Sequence, residues 1–198
     1  MPRGRPAEAK ADAALRYAAR GGSVVALHHT DDSSRCSCGK PDCAAPGKHP
    51  RIDTPLQPAG LTGATRDPVR LSALWRAWPY ANVGVLTGRA SGIVVVDVDT
   101  KRGQVGADSL RALEDTHEPL PATLTSLTPT GGWHLFFRHP GGRVSDSTSV
   151  IGRHIDVRGD GGYVVAPPSA IASVRYRWQR ARAPVAAAPR WLIERIAV

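Results

Sequence analysis

An α+β fold is the class this sequence predicts, and three observations predict it. Helical apolar spacings occupy the N-terminal half, short apolar runs cut by Gly/Pro turns follow Thr123, and between them "IVVVDVDT" (93–100) is an apolar strand ending in two aspartates. No repeat or long linker separates these parts, so one shared core is expected in a chain of 198 residues.

The elements follow in order. "AEAKADAALRYAAR" (7–20) has an Ala-rich face and stops at Gly21-Gly22, which predicts a helix. The first ten residues (1–10), which include "PRGRP", are expected to be a flexible basic N-terminus; PRGRP resembles an AT-hook, whose arginines enter a narrow minor groove. "SVVAL" (23–27) is a short strand. "RDPVRLSALWRAWP" (66–79) predicts a helix with Asp67 as N-cap and Pro68 in the first turn. Its Leu71, Leu74, Trp75 and Trp78 recur at i, i+3, i+4, i+7, a buried stripe rather than a base-stacking platform.

"NVGVLTG" and "GIVVVDVD" read as two buried strands joined by a tight turn around Gly88 to Gly92. "GADSLRALEDT" (106–116) is a helix with Leu110 and Leu113 facing inward. "TLTSLT", "GWHLFFRH", "GRHIDVRG", "GYVVAP" and "VRYRWQ" are strands separated by PTGG, PGG, GDGG and PPS turns, and "APRWLIERIAV" closes the chain as a helix.

Charge narrows the function classes. Lys and Arg exceed Asp and Glu by 26 to 17, a net charge of +9 that suits a polyanionic partner such as nucleic acid. No apolar run reaches the roughly 20 residues of a membrane span and the N-terminus lacks a signal-peptide core, so a cytoplasmic protein is expected.

The three cysteines lie together in "RCSCGKPDCAAPGKHP". Cys36, Cys38, Cys43 and His49 offer three thiolates and an imidazole to a tetrahedral structural zinc ion, with His28 and His29 as competitors for the fourth place. An odd count in so short a loop does not read as a disulfide framework. The ion would stiffen a loop (35–50) too polar to pack by itself.

The aspartates carry the chemistry. Alternation puts Asp97 and Asp99 on one face of their strand, with Cα atoms about 6.5–7 Å apart. Like charges held there call for a cation, and a divalent metal serves. Asp156 stands between Ile155 and Val157, where an unpaired carboxylate is costly. His134 enters an apolar strand just after Gly131-Gly132. Shared carboxylates can hold two Mg²⁺ or Mn²⁺ ions for an in-line displacement, while His134 and the amides of Gly131 and Gly132 hold a triphosphate.

Asp97-Val98-Asp99, Gly132-Trp133-His134 and Ile155-Asp156, with NVGVLTG, TPTGGWHLFFR, IDVRGDGGYVVAPPS and a cysteine loop ending in GKHP, form an ordered set. In that set the chain resembles the prim-pol domain of the archaeo-eukaryotic primase superfamily. This is the bifunctional DNA primase/polymerase type carried by plasmids, phages and integrative elements, and the likeness runs from about Leu15 to Trp178. The resemblance implies an RRM-like mixed sheet beside a smaller N-terminal α/β unit, the prim-pol catalytic domain spanning 11–198. It implies catalytic metals on Asp97, Asp99 and Asp156, and nucleotide binding by His134, Gly131, Gly132 and Arg158. DNA template and primer, with dNTPs or NTPs, are the implied partners.

Two departures qualify it. Gly132 stands where many relatives have serine, which removes a hydroxyl from the phosphates. The chain also ends soon after the polymerase region, so primer extension is expected before initiation, the latter with a separate helicase or primer-initiation partner. The competing classes are a metal-dependent nuclease, whose usual upstream glutamate is represented before Asp97 by Glu8 alone, and a non-catalytic zinc-containing nucleic-acid-binding module.

Overall fold

The computed structural model describes residues 6–52, 55–100 and 105–197. PRGRP therefore lies mostly outside the described residues, and the first helix begins at Pro6. The chain divides into two compact units, 1–86 with 165–176, and 87–164 with 177–198. Each unit holds buried apolar clusters of its own.

In the first unit, α1 (Pro6–Ala19) and α2 (Pro68–Ala77) cover a small sheet. Its strands β1 (Val24–Leu27) and β2 (Asn82–Leu86) run antiparallel, Val24 opposite Val85 and Leu27 opposite Asn82, with β8 (Tyr163–Ala166) on the far side of β2. Pro68 opens α2 and the Asp67 carboxylate accepts the Val69 N–H at 2.8 Å, which satisfies an amide the helix cannot. Leu71, Leu74 and Trp75 then meet Ala14, Val24, Ala26 and Val83 in the core, while Trp78 is only partly buried against it. The Arg51 guanidinium lies 4.8 Å above the Trp78 ring. A short hairpin, β9 (Ala170–Ile171) with β10 (Val174–Arg175), completes the unit.

The second unit is built on a seven-stranded sheet of β3 (Ile93–Val98), β4 (Thr125–Leu127), β5 (Trp133–Arg138), β6 (Ser147–Gly152), β7 (Ile155–Arg158), β11 (Arg177–Trp178) and β12 (Ala186–Ala187). The order is β11-β4-β5-β3-β7-β6, antiparallel throughout, and β12 adds a parallel pairing to β5. The sheet is therefore mixed, as the resemblance implies. Two helices, α3 (Gly106–Thr116) and α4 (Arg190–Ile196), supply the apolar side chains for one face. Val94, Val96, Val98, Ile155 and Val157 pack there with Trp191, Leu192 and Ile196, and Leu110 and Leu113 border the cluster. Period-two alternation sends Val95, Phe136 and Asp97 to the opposite face, where Val95 and Phe136 meet Val164 and Trp178.

NVGVLTG and GIVVVDVD do form strands, with a turn in which Gly88 bridges Ile93. They join different sheets, because β2 pairs with β1 and β8 while β3 pairs with β5 and β7. VRYRWQ splits in the same way. Tyr176 donates its N–H to Ser169 at 2.8 Å, so β10 ends and β11 begins against β4. No helix among the described residues is long and apolar enough to cross a membrane.

Candidate active site and metal centre

Strand β3 is flanked by β5 and β7, and the register sets Asp97 directly opposite His134 on one side and Asp156 on the other. Directly opposed residues share a face, with Cβ atoms about 4.5–5.5 Å apart. One row of polar side chains thus crosses three strands. It continues on β4, where Ser126 stands opposite His134, and on β11, where Trp178 stands opposite Ser126.

Arg158, two residues past Asp156 on the same face, ties the acids together. Its Nη2 lies 2.8 Å from Asp156 Oδ2 and 3.4 Å from Asp97 Oδ2, and its Nη1 lies 3.8 Å from Asp146 Oδ2. For Asp97 and Asp156 the neighbouring positive charge is this guanidinium. On the other side of Asp97, Oδ1 lies 3.5 Å from His134 Nε2. Both Asp97 and Asp156 are largely buried, with side chains 17% and 16% exposed, so their charges are felt strongly.

Titration reflects this crowding. Burial pushes the Asp156 carboxyl up, and the charges of Asp97 and Asp99 add to it, outweighing Arg158 and the Ser149 N–H that donates to Oδ1 at 3.1 Å. Burial works against the Arg158 cation, but Asp97, Asp156 and Asp146 overcome it and raise its pKa.

Asp99 lies one residue beyond the end of β3. Its N–H donates to His154 at 3.0 Å and its carbonyl accepts the Gly106 N–H at 3.2 Å, anchoring the passage into α3. Gly131 has φ +93°, and its N–H is donated to the Thr128 carbonyl at 3.1 Å, so that amide closes the β4–β5 turn. Gly132 sits tight against β3, where a Cβ would come within 2.3 Å of the Val98 carbonyl oxygen.

Three residues near the row escape sequence reasoning. Asp146 accepts the Gly159 N–H at 2.8 Å and faces Arg158, yet in "GGRVSDSTS" no periodicity marks it. Tyr163 has its pKa raised chiefly by burial, with Arg158 lowering and Asp146 raising it. Ser126 is fully buried with no hydrogen-bond partner for its Oγ among the described residues. Its alternation within TLTSLT was the available signal.

In the first unit the cysteine loop closes on itself. One ligand atom from each of Cys36, Cys38, Cys43 and His49 falls within 4.8 Å of all the others. His49 Nε2 is 3.4 Å from both Cys36 Sγ and Cys43 Sγ. A tetrahedral zinc with Zn–N near 2.0–2.1 Å and Zn–S near 2.3 Å sets such atoms about 3.5 Å apart, so the donor set fits the ion. The Gly47 N–H points at Cys36 Sγ from 3.4 Å, and the amide of Lys40 holds the Cys38 thiol below its usual range.

The structure also decides between the histidines. His28 turns its Nδ1 to Ser37 Oγ at 2.9 Å and stacks on His49 at 4.4 Å, while the His29 ring lies 5.9 Å from Tyr80. His49 takes the fourth place.

A mixed sheet with acids, an imidazole and an arginine on one face, in a chain that also holds a Cys3His group, defines a protein of the α+β class. Residues 14–191 match the Prim-Pol family, described as bifunctional DNA primase/polymerase, N-terminal. The chain belongs to that family, which is of the primase/polymerase nucleotidyltransferase type and acts with DNA and nucleotides. No curated protein matches the chain.

Proposed function

We propose that the chain is a DNA-templated nucleotidyltransferase that extends primers on the RRM-like sheet of an archaeo-eukaryotic primase fold. The observation that carries this reading is the register of β3, which aligns Asp97 with His134 and Asp156 in one row. Buried carboxylates brought together at such cost are a fitting donor set for oxygen-seeking divalent ions. Asp97, Asp99 and Asp156 would hold Mg²⁺ or Mn²⁺, which would activate the primer 3′-hydroxyl and neutralise the leaving pyrophosphate.

The protein's own groups bind and orient. Arg158 reaches three acids through Nη1 and Nη2, and a guanidinium with five N–H donors has others left to offer a triphosphate. His134 Nε2, beside Asp97, and the Gly132 amide hold further phosphate oxygens. Gly131 shapes the turn that presents them. The bond that forms joins the primer 3′ oxygen to the α-phosphorus, and the one that breaks releases pyrophosphate.

Template-directed extension of an end-labelled primer with Mg²⁺ or Mn²⁺ tests the reading. Lengthening of the label is expected, with dNTPs and NTPs compared side by side. Shortening would mark a nuclease, and an unchanged label a binding module. Omitting the primer and adding a helicase fraction separates initiation from extension.

A further inference from the structure

A cavity of about 350 Å³ opens in the first unit, between α1, the residues after β1, Tyr80 and the β9–β10 hairpin. Its charged lining is lopsided. Lys10, His29 and Arg175 face it with Asp32 as the single carboxylate, and Asp32 is exposed and takes the Ser173 hydroxyl at 3.4 Å.

Lys10 is only 8% exposed, and its Nζ donates to the Tyr80 carbonyl and to Asn82 Oδ1, both at 2.8 Å. An ammonium carries three donors, so these two bonds leave one N–H over on a residue that lines the cavity. The buried Nδ1 of His29 likewise has no partner among the described residues. Buried polar groups of this kind are normally satisfied, and a ligand is one way of satisfying them.

The lining also destabilises its own charges. Burial, with Arg175 adding to it, pushes Lys10 down to about 8, and burial with Lys10 and Arg51 pushes His29 down against the pull of Asp31. An anion would relieve both groups at once. At the rim stands Tyr80, 60% exposed, an aromatic face beside a basic hollow.

We infer that this cavity binds the phosphate of a nucleotide, with Lys10, His29 and Arg175 on the oxygens and Tyr80 against the base. The choice of a nucleotide over other anions rests on the polymerase reading, whereas the anion site rests on these residues alone. The nucleotide is either a free triphosphate or a unit of a single DNA strand.

Nitrogen-15 spectra of the Lys10 Nζ and His29 ring resonances test it, using the full chain carrying Asp97→Ala without added divalent cation. Tripolyphosphate, dATP and a short thymidine oligonucleotide are titrated separately. Saturable shifts of both resonances are expected. Arg175→Glu should weaken binding about tenfold or more through loss of a charge-assisted bond. Tyr80→Ala should weaken dATP or the oligonucleotide but not tripolyphosphate.

Saturation by dATP alone assigns a free nucleotide, and by the oligonucleotide alone a strand. Absence of shifts with every probe, or unchanged affinity in Arg175→Glu, overturns the anion site. Unchanged affinity in Tyr80→Ala overturns the nucleotide. Shifts in the Asp97→Ala chain, together with failure of the unsubstituted chain to extend a primer, would refute the polymerase reading and leave the anion site standing.

Discussion

A Cβ added at Gly132 would meet the Val98 carbonyl oxygen at 2.3 Å, far inside van der Waals contact. The neighbour is strand backbone, so relief requires β3 to move, and β3 carries Asp97. Gly132→Ser should therefore lower the thermal midpoint and raise the nucleotide KM. A variant as stable as the parent and faster would show that β3 yields freely. Asp160 makes the same point through hydrogen bonds. Its carboxylate accepts the amides of Arg89 at 2.8 Å and Val144 at 3.0 Å, and a Cβ on Gly88 would strike its backbone at 2.4 Å. Burial alone would push this carboxyl up, but those amides outweigh it and hold it below the usual range. A depressed carboxyl contributes stability above its unfolded pKa of about 3.9 and loses it as pH falls through the lower folded value. Asp160→Asn should then cost about 1 kcal/mol at neutral pH, and the deficit should shrink below about pH 4. A deficit independent of pH would remove the ionic part of the argument. Single residues are legible in sequence when they break a pattern, as Asp97, His134 and Asp156 do on apolar strands. Asp146 breaks none, and only folding brings it to Arg158.

Local signals decided which elements could be read from sequence. α2 has a capping carboxylate, a first-turn proline and a helical apolar stripe, and α3 has an apolar stripe, so both were predicted at or within a residue or two of their observed bounds. Strands β9, β10, β11 and β12 are two residues each, and what makes them strands is the partner across the ladder rather than their own side chains. Strand β6 is mostly exposed and irregularly paired, which erases the alternation that would announce it. The cysteine loop lies between these cases, since its ligands were evident but its choice of histidine was not. Purified protein should carry about one zinc per chain, with Zn–S distances near 2.3 Å by X-ray absorption. Cys38→Ser should lower the thermal midpoint and loosen the loop, seen as faster amide exchange across 35–50, while any residual metal keeps its other three ligands. Freshly reduced protein without zinc by elemental analysis would remove the ion, and the arguments on β3 would stand unaltered.

The whole chain carries a net charge of +9, whereas the candidate catalytic row carries an excess of acid: Asp97, Asp156 and Asp146 share the single guanidinium of Arg158. These two facts assign different work to different charges. Nonspecific affinity for DNA comes from lysines and arginines displacing counterions from phosphates, and depends steeply on salt. Chemistry at the row comes from carboxylates that repel the same phosphates until a cation intervenes. Asp97→Ala should therefore separate the two. Incorporation into a primed template should fall by about 10²–10³-fold or more, the scale on which loss of one electrostatic stabiliser is felt. DNA affinity without nucleotide should hold or rise, since a negative charge has been removed. Its salt dependence should keep the slope of the parent protein, because no phosphate contact has been deleted. The fold should survive, since Asp97 contributes repulsion to Asp156 as well as attraction to Arg158. Equilibrium binding at several salt concentrations, run beside single-nucleotide incorporation, reads both quantities on one preparation. Near-normal incorporation would displace Asp97 from the reaction. A flattened salt slope with incorporation lost would instead mean that the row holds DNA, and that the division between binding charge and reacting charge is wrong.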